Sequence, residues 1–122
     1  MDYDALVAEL RQLRENVAGV TDTVIAASDG IPIISDVAKS VDPAHISALA
    51  AADLGIARQA VEVMGLGTLS QTVVFGSKGY MAVYAIGRLS LMVALGDKGL
   101  NLGRLLHESR PAIERIGSIL TP

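Results

Sequence analysis

The residues whose types and spacing could carry chemistry are few. Residues 63–74 read VMGLGTLSQTVV, which sets Gly65 and Gly67 one residue apart with Ser70 three further on. A glycine-rich loop that cradles a phosphate lies after a strand and before a helix, so that the helix N-terminus faces the anion. Here the order is reversed: a helical pattern ends at Gly65 and an extended pattern begins after Gly67. The carbonyls of a helix C-terminus face such a loop and repel phosphate, and no Lys follows. The pair therefore reads as a helix C-cap followed by the start of a strand. His45 and His107 have no second His or Cys at ligand spacing, so the sequence predicts no metal site. The chain has no Cys, which excludes a disulfide framework, a thiolate site and a cysteine nucleophile. Ser28-Asp29 has the chemistry of a turn rather than of a nucleophile and its orienting acid. No Gly-x-Ser-x-Gly elbow and no paired catalytic carboxylates occur. No catalytic residue and no cofactor is expected, and nothing in the chain demands an enzyme.

The elements around these residues are legible. The 122 residues make a single domain over 1–122. There is no Trp and one Phe, so the core must be aliphatic and Ala-rich. A net charge of −3 with scattered Lys and Arg gives no field for nucleic acid. The N-terminus lacks the apolar stretch of a signal peptide. The longest apolar tract, 80–95, is shorter than a bilayer span and is broken by Gly87-Arg88, which suits a hairpin. The expectation is a cytoplasmic protein that reaches a membrane only through partners. Leu6, Leu10, Leu13 and Val17 share one stripe of a first helix over 3–17. Residues 20–28 and 31–37 read as two strands joined at Asp29-Gly30, a preferred pair for a tight hairpin. Asp42-Pro43 starts a second helix that runs to about Met64. Runs at 68–76, 79–86 and 89–95 form a meander. Asn101 caps a last helix over 102–120 whose apolar face is Leu102, Leu106, Ile113, Ile116 and Leu120, with Pro111 kinking it on the solvent side.

The order is thus α-β-β-α-β-β-β-α, an α/β sandwich. The strands over 79–86 and 89–95 are apolar on both alternations, so they are central and covered on both faces. Pro32 marks one edge strand, and the polar Ser70, Gln71 and Thr72 mark the other. The simplest order of an antiparallel-type five-stranded sheet is 2-1-5-4-3.

The second helix is the unusual element. Its larger apolar residues (Ile46, Leu49, Leu54, Ile56, Ala57, Ala60, Val61 and Met64) are expected on the sheet. A stripe of small residues, Ala44, Ala48, Ala51, Ala52 and Gly55, runs on into Arg58, Gln59 and Glu62. Mid-helix Gly costs about 1 kcal/mol against Ala, so Gly55 points to a helix–helix contact instead of an Ala-rich solvent face. Asp53 falls on the apolar side, where it either pairs with a basic group or reports a helix rotated from this assignment. Strand 3, a nine-residue edge with few charges, invites pairing with another chain. A two-fold axis beside Ser70, Gln71, Thr72, Val73 and Val74 would join two sheets and pair two copies of helix 2.

From about Asp4 to Leu120 the chain resembles the Roadblock family of dynein-light-chain-like proteins. The stretches that carry the resemblance are GVTDTVIAASDGIPI after the first helix, the Ala-rich second helix, and LMVALGDKGLNLGRLLHESRPAIERI at the end, with ASDGIPI and NLGRLL the most specific. It is most similar to bacterial members, of the MglB type and of the actinobacterial type encoded beside a Ras-like GTPase. The resemblance implies a profilin-like α/β sandwich and a homodimer joined through strand 3 and helix 2. It also implies a Ras-like GTPase as partner, met by the helix 2 face at Arg58, Gln59 and Glu62, with activation by reordering of the GTPase's own switch loops. Two other readings stay open: a scaffold without a GTPase, and a profilin-like small-ligand sensor with Asp53 as anchor.

Overall fold

Helix starts are set by side chains that accept orphan backbone N–H groups. In the computed structural model, which describes residues 1–121, Asp2 caps α1 (Tyr3–Asn16) by accepting from the Ala5 N–H. Asp42 caps α2 (Pro43–Val63) with Pro43 in its first turn, and Asn101 caps α3 (Leu102–Leu120). Between them lie β1 (Val20–Ala27), β2 (Pro32–Asp36), β3 (Gln71–Gly76), β4 (Gly79–Ile86) and β5 (Ser90–Asp97). All pairings are antiparallel, and the five strands stand in the order β2-β1-β5-β4-β3, as the sequence suggests.

The central strands are buried on both faces and feed two cores. Ile25, Ala82, Tyr84, Met92 and Ala94 face α1 and α3, where Leu6, Leu10, Leu13 and Val17 of the first helix are buried as expected. Val24, Ala26, Val83, Leu91 and Val93 face α2. Two ion pairs fasten the outer layer: Arg14 to Asp36 at 2.7 Å joins α1 to β2, and Arg115 to Glu9 at 2.8 Å joins α3 to α1. The hydrogen bond and charge of its carboxylate partner raise each guanidinium further above its ordinary value.

Four expectations are corrected. The β1–β2 connection is a three-residue loop, Ser28 to Gly30, closed by Gly30 N–H to Ala27 O at 2.9 Å and Ala27 N–H to Ile31 O at 2.9 Å. Only Gly30 has positive φ, so the mirror-image two-residue turn is excluded, and the arrangement is the longer bulged hairpin. Strand 3 is shorter than the nine residues expected. Thr68, Leu69 and Ser70 precede it, and only the Ser70 carbonyl reaches β4, accepting from Ala85 N–H at 3.0 Å. On α3 the buried line is Leu105, Ser109, Ala112 and Ile116, while Leu102, Leu106, Ile113 and Leu120 flank it half-buried. The helix packs one position away from the wheel reading: small Ser109 lies beside Tyr84 of β4, and small Ala112 lies against α1. Pro111 is exposed and the helix runs through it. The fourth correction concerns α2.

Candidate functional site

The residues of α2 that touch the sheet are Ser47, Ala50 and Leu54, fully buried, with Ile46 and Ala51 half-buried beside them. Ala57 and Val61 are half-buried on the same side. The bulky residues Leu49, Ile56 and Met64, expected on the sheet, are 55%, 70% and 71% exposed, and Ala60 is exposed too. The contact side carries small residues because they let the helix lie close to the strands, and the α2 backbone also runs against the β1–β2 loop, where a Cβ on Gly30 would stand 3.2 Å from Ala48 Cα. The outer side therefore holds both the small residues Ala44, Ala48, Ala52 and Gly55 and the large ones Leu49, Ile56 and Val63. Leu49, Ile56 and Val63 are seven apart, which lines them along one face for about 21 Å. Nothing within 4 Å would meet a Cβ on Gly55.

An open strand edge belongs to the same surface. β3 pairs with β4 alone, so its other side has no strand partner among the described residues. Gln71, Thr72 and Val73 are half-buried, while Ser70, Val74 and Phe75 are exposed. Phe75 stacks edge-on against Tyr80 at 5.4 Å between ring centres. Asp53, left open by the sequence, accepts a short hydrogen bond from the Thr72 hydroxyl. The carboxylate thus ties α2 to the edge strand, and it has no basic partner among the described residues. A contiguous apolar face beside an unpaired edge is the usual mark of an interaction surface.

The far end of α2 closes as a cap and opens a cleft. Gly65 has φ +65; its N–H donates to Glu62 O at 3.2 Å, and Leu66 N–H donates to Val61 O at 2.9 Å. These are the two bonds of a Schellman cap, so the Gly65-Leu66-Gly67 loop ends a helix as its sequence suggests. Beyond it lies an open cleft of about 490 Å³, between α2, the 67–69 loop and the β4–β5 turn. Arg58 and Glu62 line it together with Arg88, a residue the sequence marked only as part of a turn. Arg58 donates to the Gly87 carbonyl at 2.9 Å. Gln59 is exposed but does not line the cleft. His45 and His107 are both exposed and far apart in the chain. Among the described residues no group of three or more His, Cys, Asp or Glu could hold a metal ion, and no helix is long and apolar enough to cross a membrane.

Comparison with known proteins agrees with this geometry. An uncharacterized protein of Methanocaldococcus jannaschii, MJ1340, is 32% identical over 98 residues, covering 80% of this chain and 85% of that one. A second from the same organism, MJ0310, is 31% identical over a segment of equal length, 98 residues. Among solved structures, a Roadblock/LC7 domain from Streptomyces avermitilis superposes with a TM-score of 0.88 at 20% identity, covering 94% of this chain and 97% of that one. Myxococcus xanthus MglB gives 0.88 at 15% identity, covering 98% of each chain. The model of the Roadblock/LC7 domain matches residues 6–95, from α1 into β5, and the chain belongs to that family.

Proposed function

We propose that the chain is a homodimeric regulatory module that binds a small Ras-like GTPase. The observation that carries this reading is the outer face of α2, where Leu49, Ile56 and Val63 stand exposed in line beside the unpaired β3 edge. Burying one such apolar side chain contributes on the order of 1.5–3 kcal/mol, so a second copy covering this face gains appreciably. In the proposed dimer Ala44, Ala48, Ala52 and Gly55 lie between the two helices, whereas Ala51, expected there from the sequence, packs toward the sheet. Ser70, Gln71, Thr72, Val73 and Val74 form the joint between the sheets.

The GTPase enters through the family resemblance, and Arg58, Gln59 and Glu62 are its proposed contacts. Arg58 is already engaged by the Gly87 carbonyl, which favours a positioning or ion-pairing role over a mobile arginine finger. The module works as a non-enzymatic partner in the cytoplasm and reaches membranes through others. Under the small-ligand alternative, Asp53 would bind with the acceptor sites that its bond from the Thr72 hydroxyl leaves open.

Light scattering over a range of protein concentrations should give a dimer mass, and capture of a Ras-like GTPase should favour the GTP-loaded form. A monomer at every concentration overturns the dimer. Equal or absent capture of both nucleotide forms overturns the regulatory role.

A further inference from the structure

The cleft at the C-terminal end of α2 reverses the charge of the molecule around it. The chain carries a net −3, yet two guanidinium groups, Arg58 and Arg88, stand on this cleft against one carboxylate, Glu62. Arg88 is exposed and its side chain has no hydrogen-bond or ion partner among the described residues. Arg58 is held by one donor on Gly87 O, which fixes its position and leaves its other donors free. On the same wall Gly67 and Thr68, with Leu69 beside them, have backbone N–H groups without an acceptor among the described residues. Gly67 sits at φ +88 just past the cap, whose bonds already take up the Val61 and Glu62 carbonyls, so fewer free carbonyls of the α2 C-terminus are left to repel an anion held by the two guanidinium groups.

The anion that fits is a carboxylate attached to something apolar. A guanidinium fork matches a carboxylate with two parallel hydrogen bonds. Glu62 in the wall disfavours a doubly charged phosphate more than a singly charged group. Val61, Leu69 and Ala85 supply apolar lining. Leu66 and Leu89, each next in sequence to a cleft residue, are 69% and 78% exposed, so apolar side chains flank the cleft at the 67–69 loop and at the β4–β5 turn. A small carboxylic acid would leave that surface bare, whereas a longer segment covers it.

We propose that this cleft takes an aspartate or glutamate side chain from an acidic segment of a partner chain, with the flanking apolar residues of that segment lying on the exposed rim. The inference deepens the function proposed above by naming the chemistry of one contact, and it rests on that reading for the existence of a partner chain.

The test uses the whole chain and a defined probe. A blocked hexapeptide of alternating Leu and Glu is titrated into isotope-labelled protein and compared with its Leu–Gln counterpart. Amide shifts are expected at Gly67, Thr68, Leu69 and Gly87 with the Glu peptide and not with the Gln peptide. Arg88→Glu, which removes no hydrogen bond of the fold, should weaken binding about tenfold or more, the scale of a charge-assisted hydrogen bond. Glu62→Gln should tighten it about two- to five-fold, the scale of a screened surface charge. Equal binding of both peptides, shifts confined to other surfaces, or no gain in Glu62→Gln overturns the proposal. If GTPase capture survives in Arg88→Glu while the peptide fails to bind the unsubstituted protein, the contact is wrong and the function stands. Peptide binding without GTPase capture means the opposite: the contact stands and the function is wrong.

Discussion

Replacing Gly55 by Ala separates two effects of opposite sign. Gly55 lies mid-helix on α2, and a Cβ there meets nothing within 4 Å in the single chain. For an isolated chain only helix propensity acts, and the substitution should stabilise it by about 1 kcal/mol. That corresponds to a melting point higher by about 4 °C for a domain of this size. If a second α2 packs against this face, the added methyl enters a close helix–helix contact. Overpacking of that kind costs about 1–3 kcal/mol, which raises the dimer dissociation constant about 5- to 150-fold. Urea unfolding at several protein concentrations, with light scattering alongside, reads both quantities, because a dimer's apparent stability rises with concentration and a monomer's does not. The expected result is a variant more stable when dilute and less strongly dimeric. A variant stabilised equally at every concentration, with its dimer constant unchanged, would refute the claim that another chain approaches Gly55.

Thr72→Val removes the hydroxyl that donates to Asp53; a loss of about 1–2 kcal/mol is expected, with faster hydrogen exchange at β3 amides than at β5 amides. Gly19→Ala should be the harsher of two glycine replacements in thermal melts, because Gly19 has φ +96 and its Cβ would stand 2.7 Å from Leu100 Cα. Gly67→Ala, at φ +88 in open space, should show only the backbone cost of about 1–2 kcal/mol. Tyr84 is buried, and burial pushes its phenol above the ordinary value of 10.0, slightly offset by the neighbouring Ser109 hydroxyl, although neither hydroxyl completes a hydrogen bond. The native state therefore holds this proton more tightly than the unfolded chain does. The associated stability is intact below pH 10.0 and is lost as pH rises through the folded-state value. Tyr84→Phe should flatten that alkaline decline in urea unfolding and cost little at neutral pH.

Element order, the sheet order and both edge strands were legible because they follow from local chemistry. Asp42 and Asn101 cap the starts of α2 and α3, Gly65 ends α2, and strands apolar on both alternations must be central. What failed was the rotation of α2. Both of its sides are apolar, and size was taken as the guide to burial. A helix that lies close to a sheet needs small residues inward, so Ala50 and Ser47 are buried while Leu49 and Ile56 face out. On α3 too the buried line takes in small residues, Ser109 beside Tyr84 and Ala112 against α1, while larger Leu102 and Leu106 flank it. Asp53, which the sequence places on the sheet side, does reach the sheet, but its partner is the Thr72 hydroxyl and not a basic group. The cleft was not legible at all, since Arg58 and Arg88 are thirty residues apart and only the sheet brings the β4–β5 turn beside α2.

The two outer strands differ in a way that bears on how far assembly can proceed. β3 offers a free backbone row, while β2 is five residues long, begins with a proline that has no N–H, and ends at an aspartate held by Arg14. In the language of polymer chemistry the chain is a monofunctional reagent. It has one end able to react and one end blocked. When two such ends meet, the product presents a blocked strand at each side and no growing terminus remains. In the proposed dimer, association through strand pairing would then stop at two copies, so that single bare edge favours a dimer over a filament.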